Sequence, residues 1–115
     1  MAHNALDLSN LSKSMNELLV LSSLVSGPRH GYQLALDVEE LSGGLITLKH
    51  GTLYPILHKL ERQKLISGSW SAKGGKGRRR RAYELTDTGR DYADMLRAEW
   101  RGLMSCLGGI VGEEA

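Results

Sequence analysis

The chain has 115 residues, 41% of them hydrophobic, and a formal net charge of +2. That length leaves room for one domain and none for a separate catalytic unit, and the apolar content excludes a disordered tail. No window reaches the roughly 18 apolar residues needed to span a bilayer, no signal peptide is expected from residues 1–10, and the single Cys106 excludes an internal disulfide or a cysteine-rich zinc site.

Residues 1–13 are short, mixed and polar, an arm or a loose helix. From Ser14 to Val25, the residues Met15, Leu18, Leu19, Val20, Leu21, Leu24 and Val25 are too dense for a surface helix and predict one buried on most sides. Gly27-Pro28 stops it, and Pro28 can open the next helix, where Leu34, Val38 and Leu41 recur at helical spacing before Ser42-Gly43-Gly44. Leu45–Leu48 reads as a short β-prone piece. Gly51–Lys64 carries the clearest pattern, with Leu53, Ile56, Leu57 and Leu60 on one helical face. Pro55 marks that helix's N-terminal end, and a start near Thr52 would keep it within the first turn.

Two strands follow, Leu65–Ala72 and Arg80–Leu85, around a Gly-rich tip. Thr86 is a natural N-cap for the last helix, with Asp87 well placed for its dipole. Ala93, Leu96, Trp100, Leu103, Leu107 and Ile110 then step by 3, 4, 3, 4, 3, a coiled-coil seam that predicts a dimer held by Leu96, Trp100, Leu103 and Leu107. The fold class is mainly α with a small β-hairpin: a winged helix-turn-helix over 14–85, then a C-terminal dimerisation helix and tail over 86–115.

Charge distribution points to a polyanion. Six of the fifteen Lys and Arg lie between Lys73 and Arg81, a stretch with no acid. In the hairpin tip, Lys73, Lys76, Arg78 and Arg79 are placed to neutralise phosphates; a solvated charged loop is the plainer alternative. The third helix offers Thr52, Tyr54, His58, Lys59 and Arg62 on its outer face, with Lys49 and His50 just ahead and no acid before Glu61. A major groove about 12 Å wide admits such a helix, so the expected partner is double-stranded DNA. His30, His50 and His58 lack metal-ligand spacing, and His30 reads as a capping or phosphate-contacting residue. Gly74-Gly75-Lys76-Gly77 lacks P-loop spacing, and no nucleophile elbow or carboxylate pair is present, so neither an enzyme nor a cofactor is expected.

Four stretches together resemble the PadR-like family of bacterial transcriptional regulators. They are Gly27-Pro28-Arg29-His30-Gly31-Tyr32, Gly51-Thr52-Leu53-Tyr54-Pro55-Ile56-Leu57-His58-Lys59-Leu60-Glu61, Gly77-Arg78-Arg79-Arg80, and Tyr83-Glu84-Leu85-Thr86-Asp87-Thr88-Gly89. The resemblance spans roughly residues 15–100, and Gly-Thr-Leu-Tyr-Pro is its most specific string. It implies a cytoplasmic homodimer that binds a promoter operator, commonly as a repressor released by a small molecule. It also adds Arg29, His30 and Tyr32 to the DNA contacts. The family usually has Ser-Pro where Lys49-His50 stand here, which removes a helix cap and adds a cation.

The chain resembles the short subtype, with one C-terminal helix, and within it a multidrug-sensing branch that places a Trp at the dimer centre. By position, Trp100 is that residue, and Leu18, Ser22, Leu96 and Met104 would line a pocket for a planar aromatic effector. The branch has an acid where Met104 stands, which removes the basis for a cation preference. Plain packing is the other reading of Trp100. A ligand-binding or protein-interaction winged-helix dimer with secondary DNA binding is the alternative function.

Overall fold

The computed structural model describes residues 10–71 and 80–112. Helices α1 (Leu11–Leu24), α2 (Gly31–Leu41) and α3 (His50–Arg62) are followed by strands β2 (Ile66–Ser71) and β3 (Arg80–Leu85) and the long helix α4 (Asp87–Val111). A two-residue strand, β1 (Arg29–His30), pairs antiparallel with β3 and completes a sheet of order β1-β3-β2. This is the expected mainly α winged helix-turn-helix. The tip residues Lys73, Lys76, Arg78 and Arg79 lie outside the described residues.

The core forms where the helical stripes converge on the hairpin's inner face. Leu21 and Leu24 of α1, Leu34 of α2, and Leu53, Leu57 and Leu60 of α3 are almost fully buried with Ile66 and Tyr83. Burying each of these side chains stabilises the fold by about 1.5–3 kcal/mol before chain entropy is counted. The strand register places Ile66 opposite Leu85 and Gly68 opposite Tyr83, with Trp70 opposite Arg81 at the outer end. Alternation therefore puts all six on one face and Ser67, Ser69, Ala82 and Glu84 on the other.

Several expectations are corrected. Leu45–Leu48 forms no strand; the third strand is Arg29–His30, hidden in the turn after Pro28. Leu41 is exposed, because α2 ends there and the chain leaves through left-handed Gly43 and Gly44. Helix α3 starts at His50, so Pro55 sits beyond the first turn. The Lys49 carbonyl accepts from Thr52 and Leu53 N–H and begins the helix early. Pro55 deprives only the Gly51 carbonyl of its partner, and Gly51 is exposed. Helix α1 buries Ser14 and Glu17 as well as its leucines.

The start of α4 is fixed by three backbone contacts. Thr86 Oγ1 accepts the Gly89 N–H at 2.9 Å, as expected of an N-cap. The same hydroxyl donates to the Lys64 carbonyl at 2.7 Å, and Thr86 N–H donates to the Leu65 carbonyl at 3.0 Å. Gly89 is pressed against that carbonyl: an added Cβ would lie 1.7 Å from the Leu65 oxygen. Beyond Leu96 the helix runs out past the core, giving a molecule 54 × 33 × 23 Å.

Gly89→Ala is therefore expected to lower the unfolding free energy by about 3 kcal/mol or more in urea titration, since backbone and not a flexible side chain must move. Lys64→Gly should act in the opposite sense. Lys64 holds a φ of 62° at the end of α3, and removing its Cβ should add about 1 kcal/mol in the same assay.

Candidate nucleic-acid interface

Helix α3 exposes His50, Gly51, Thr52, Pro55, His58 and Arg62, the face opposite its buried leucines. Its first turn carries no acid, so the partial positive charge at its N-terminus adds to Lys49 just ahead. The start of α2 touches α3 where Gly31 meets the Tyr54 hydroxyl, and the hairpin also packs against α3. Between them opens a groove of about 810 Å³, lined by Tyr32, His50, Tyr54, His58, Trp70 and Arg80 among others. Hydrogen-bond donors, flat rings and cations on one concave face suit a nucleic-acid backbone with base edges beside it.

The rim is organised by ring contacts. The Arg80 guanidinium lies 4.8 Å from the centre of the Tyr32 ring, and Tyr32 stacks on His30 at 5.9 Å with the planes 8° apart. His50 tilts against Tyr54 at 5.4 Å. His30 holds the N-cap position of α2; its backbone N–H donates to Gln33 Oε1 at 2.8 Å, while its Nδ1 is buried without a partner. His30 thus stands at the cap position, and the side chain that bonds there is that of Gln33. Arg29 bonds Asp37 at 3.3 Å and leaves part of its guanidinium exposed.

Two expected contact residues are turned inward. Lys59 Nζ donates to Glu17 Oε2 at 2.6 Å, tying α3 to α1. That hydrogen bond holds the Lys59 ammonium above the usual lysine range, against the opposing effect of desolvation. Tyr92 of α4 closes the same spot; burial, then the Glu17 charge, raises its phenol. Tyr54 is half-buried with its hydroxyl against the start of α2, where a Cβ on Gly31 would lie 2.6 Å from it. It packs two helices together and shows only part of its ring to the groove.

Residues that sequence reasoning passed over complete the site. Arg80 follows the glycine-rich tip directly, and only its position on the strand could have singled it out. Arg81 is ion-paired with Glu61 of α3 and lies over the rings of Trp70 and Tyr83. Burial raises the Tyr83 phenol, with Arg81 pulling it partly back. Among the described residues no three His, Cys, Asp or Glu side chains gather as metal ligands would, and no helix is long and apolar enough to cross a membrane.

The expected effector residues occupy different environments. Leu96 is enclosed by the chain's own core, 1% exposed, so it is corrected out of both the dimer seam and the pocket. Leu18 is half-buried against that core. Ser22 lines a cavity of about 210 Å³ with Leu19, Val38 and Leu41. Met104 is exposed, and Trp100 is half-buried with its indole Nε1 out of solvent and unpartnered.

Comparison with known proteins places these features in a family. Residues 20–95 match the model of the transcriptional regulator PadR-like family. A PadR family transcription regulator from Clostridium difficile is 30% identical, with a TM-score of 0.73 over 84% of this chain and 97% of that one. Pex from Synechococcus is 31% identical, with a TM-score of 0.69 over 82% and 83%. A PadR family regulator from Eggerthella lenta is 27% identical, with a TM-score of 0.71 over 93% and 94%.

The inward turn of Lys59 has a measurable consequence. Lys59→Met should lower stability by about 1–2 kcal/mol by stranding the nearly buried Glu17, and should leave affinity for random-sequence duplex DNA unchanged. Because the folded-state pKa of Lys59 is raised, the pair's contribution is complete at neutral pH and is lost only as pH rises through that alkaline titration. A fall in random-duplex affinity, measured by fluorescence anisotropy, would return Lys59 to the contact surface.

Proposed function

Because the chain belongs to the PadR-like family of transcriptional regulators, and so is a DNA-binding regulator and not an enzyme, we propose that it acts in the cytoplasm as a homodimeric repressor. It reads a two-fold promoter operator with the start of α3 in the major groove and the hairpin tip on the flanking backbone. A small planar effector between the two copies of Trp100 releases it.

The observation that carries the dimer is the change in burial along α4. Its 3-4 spaced apolar positions begin inside the core with Ala93 and Leu96 and continue outside it. Leu103 is half-buried, and Met104, Leu107, Ile110 and Val111 are exposed. Among the described residues the seam starts in the chain's own core and ends in exposed apolar side chains, which calls for a second copy. Two-fold pairing of such a helix brings a residue near its middle close to its symmetry mate. Trp100 stands at that point, half-buried, with part of its ring as a stacking surface.

DNA contacts are assigned to Lys49 ahead of α3, to His50, Thr52 and His58 on it, to Arg29, His30, Tyr32 and Arg80 beside it, and to Lys73, Lys76, Arg78 and Arg79 in the tip. Tyr54 acts through its ring and through packing. Leu18, Ser22 and Met104 are left as candidate walls of the effector site.

The test begins with selection of duplexes from a random-sequence pool by the wild-type protein. Thr52→Ala and His58→Ala should each weaken binding to the selected duplex by about 1–3 kcal/mol where a base contact is lost, and binding to the unselected pool by less. Equal losses on both would reduce these side chains to backbone positioning. The combined change Leu107→Glu and Ile110→Glu should give folded monomers at micromolar concentration that lose the selected duplex; dimers in sedimentation would refute the α4 seam. In Trp70→Phe protein, Trp100 fluorescence should be quenched by planar aromatic compounds that also release DNA. Quenching with no release would favour a ligand-binding dimer in which DNA is secondary.

A further inference from the structure

We propose that Glu61 and Arg81, seated over Gly68, form a clamp that fixes the angle between α3 and the hairpin and so sets the sequence preference of DNA binding. The inference rests on the DNA-binding reading above and assigns residues that reading leaves without a role. Arg81 and Glu61 are positioning residues: they act through the elements they join.

Glu61 is an acid on the helix that faces a polyanion, where a free carboxylate would repel every duplex. Arg81 ends the acid-free basic run and would be counted among the phosphate contacts. The structure pairs the two, each about 70% buried at the side chain, with exposures of 29% and 27%. Their charges cancel at the place where the hairpin leans on α3.

The strand beneath is shaped to hold the guanidinium. Arg81 stands opposite Trp70 in the register, and Gly68 opposite Tyr83, all on the inner face. The side chain of Arg81 crosses diagonally over Gly68. A Cβ there would lie 2.6 Å from Nε and 2.7 Å from Cζ, so only glycine leaves the lane open. Trp70 and Tyr83 flank the guanidinium, with ring centres 5.3 and 5.7 Å from Cζ. Tyr83 is 1% exposed and cannot shift, which gives the guanidinium a fixed seat and a planar fork aimed at Glu61.

Geometry then decides what the clamp does. The hairpin is held to the core by Ile66, Tyr83 and Leu85, all buried, and β3 is paired to β1 as far out as Ala82. The Trp70–Arg81 pair lies beyond these attachments, and the bond from Arg81 to Glu61 ties that outer part of the hairpin to α3. Phosphate contacts from the tip tolerate small rotations of the hairpin, whereas base contacts by α3 depend on its register in the groove. The clamp therefore bears on selectivity more than on affinity.

The experiment compares full-length Glu61→Gln and Gly68→Ala with wild type on the duplex enriched by wild type and on the unselected pool. Gly68→Ala changes no charge, and the atoms it displaces are the end of a flexible side chain, so the fold should survive; thermal melting checks this. Both variants should lose preference for the selected duplex by roughly tenfold, with the salt dependence of pool binding unchanged. If Glu61→Gln instead binds both duplexes more tightly, Glu61 is a simple repulsive charge and the clamp is refuted. Equal losses on both duplexes would also refute it, since that is the mark of general destabilisation. A second readout needs no DNA. In Trp100→Phe protein, Trp70 is the only indole, and both variants should increase its quenching by acrylamide as the guanidinium leaves its face. Unchanged quenching would overturn the clamp alone. Failure of wild type to enrich any duplex would overturn the DNA-binding reading and the positioning role with it, with the Trp70 response left intact.

Discussion

The relation between α3 and α4 is set at one point, the carbonyl of Leu65. It accepts the Thr86 N–H at 3.0 Å, and Gly89 packs against it so closely that no side chain fits. Leu65 ends the turn after α3, while Thr86 and Gly89 begin α4. The helix proposed to enter DNA and the helix proposed to meet a second copy therefore meet through backbone. Glu17, Lys59 and Tyr92 add a second tie, joining α1, α3 and α4. In the proposed dimer, rotation of one α4 against the other would be carried directly to the two recognition helices. That is the rigid-body coupling an interfacial effector needs in order to change half-site spacing.

Charge on the DNA-facing side is governed by pairing more than by composition. Arg29, Lys59 and Arg81 each have a carboxylate partner, in Asp37, Glu17 and Glu61. These pairs hold α2 to its preceding turn, α3 to α1, and β3 to α3. Three elements that border the groove, α2, α3 and β3, are thus each braced by an ion pair. Partial burial makes each of them worth more than an exposed pair, though still of the order of a kcal/mol. Among the described residues, His50, His58 and Arg80 line the groove outside these ion pairs, with Lys49 just ahead of them in the chain. A count of cations along the chain overstates the contact surface, because cations of the same type serve both to brace and to bind.

What could be read in the sequence follows the range of the interaction. The 3-4 stripe Leu53, Ile56, Leu57, Leu60 and the Thr86 cap are local patterns with one solution, and both hold. The hairpin strands hold for the same reason, since alternation and a glycine-rich tip fix the pairing. Arg29–His30 could not be recognised as a strand, because two residues carry no period and only β3 gives them partners. Leu41 completes a helical stripe on paper, yet its burial depends on where Gly43 and Gly44 turn the chain. Lys59 and Tyr54 lie at the edge of the outer face, where about one helical position separates solvent from a neighbouring helix. Their partners, Glu17 and Gly31, are distant in sequence, and no pattern on α3 announces them.

The same reasoning separates the two halves of α4. Its seam is uniform as a string of apolar residues, but Ala93 and Leu96 find their partners within the chain and leave the later positions unsatisfied. That later half also contains Gly102, Gly108 and Gly109, each costing about 1 kcal/mol of helix stability relative to alanine. With little of the chain's own core beneath it, so glycine-rich a helix gains its order from whatever covers its apolar side. Gly102 and Gly109 have open space where a Cβ would stand, so nothing among the described residues requires them to be glycine. Their small size instead allows another helix backbone to approach closely. In the proposed dimer, ordering of the end of α4, burial of Leu107 and Ile110, and closure around Trp100 become a single event. In that reading a ligand that separates the two copies of α4 there would loosen the helix ends and shift the recognition helices through the backbone contacts at Leu65.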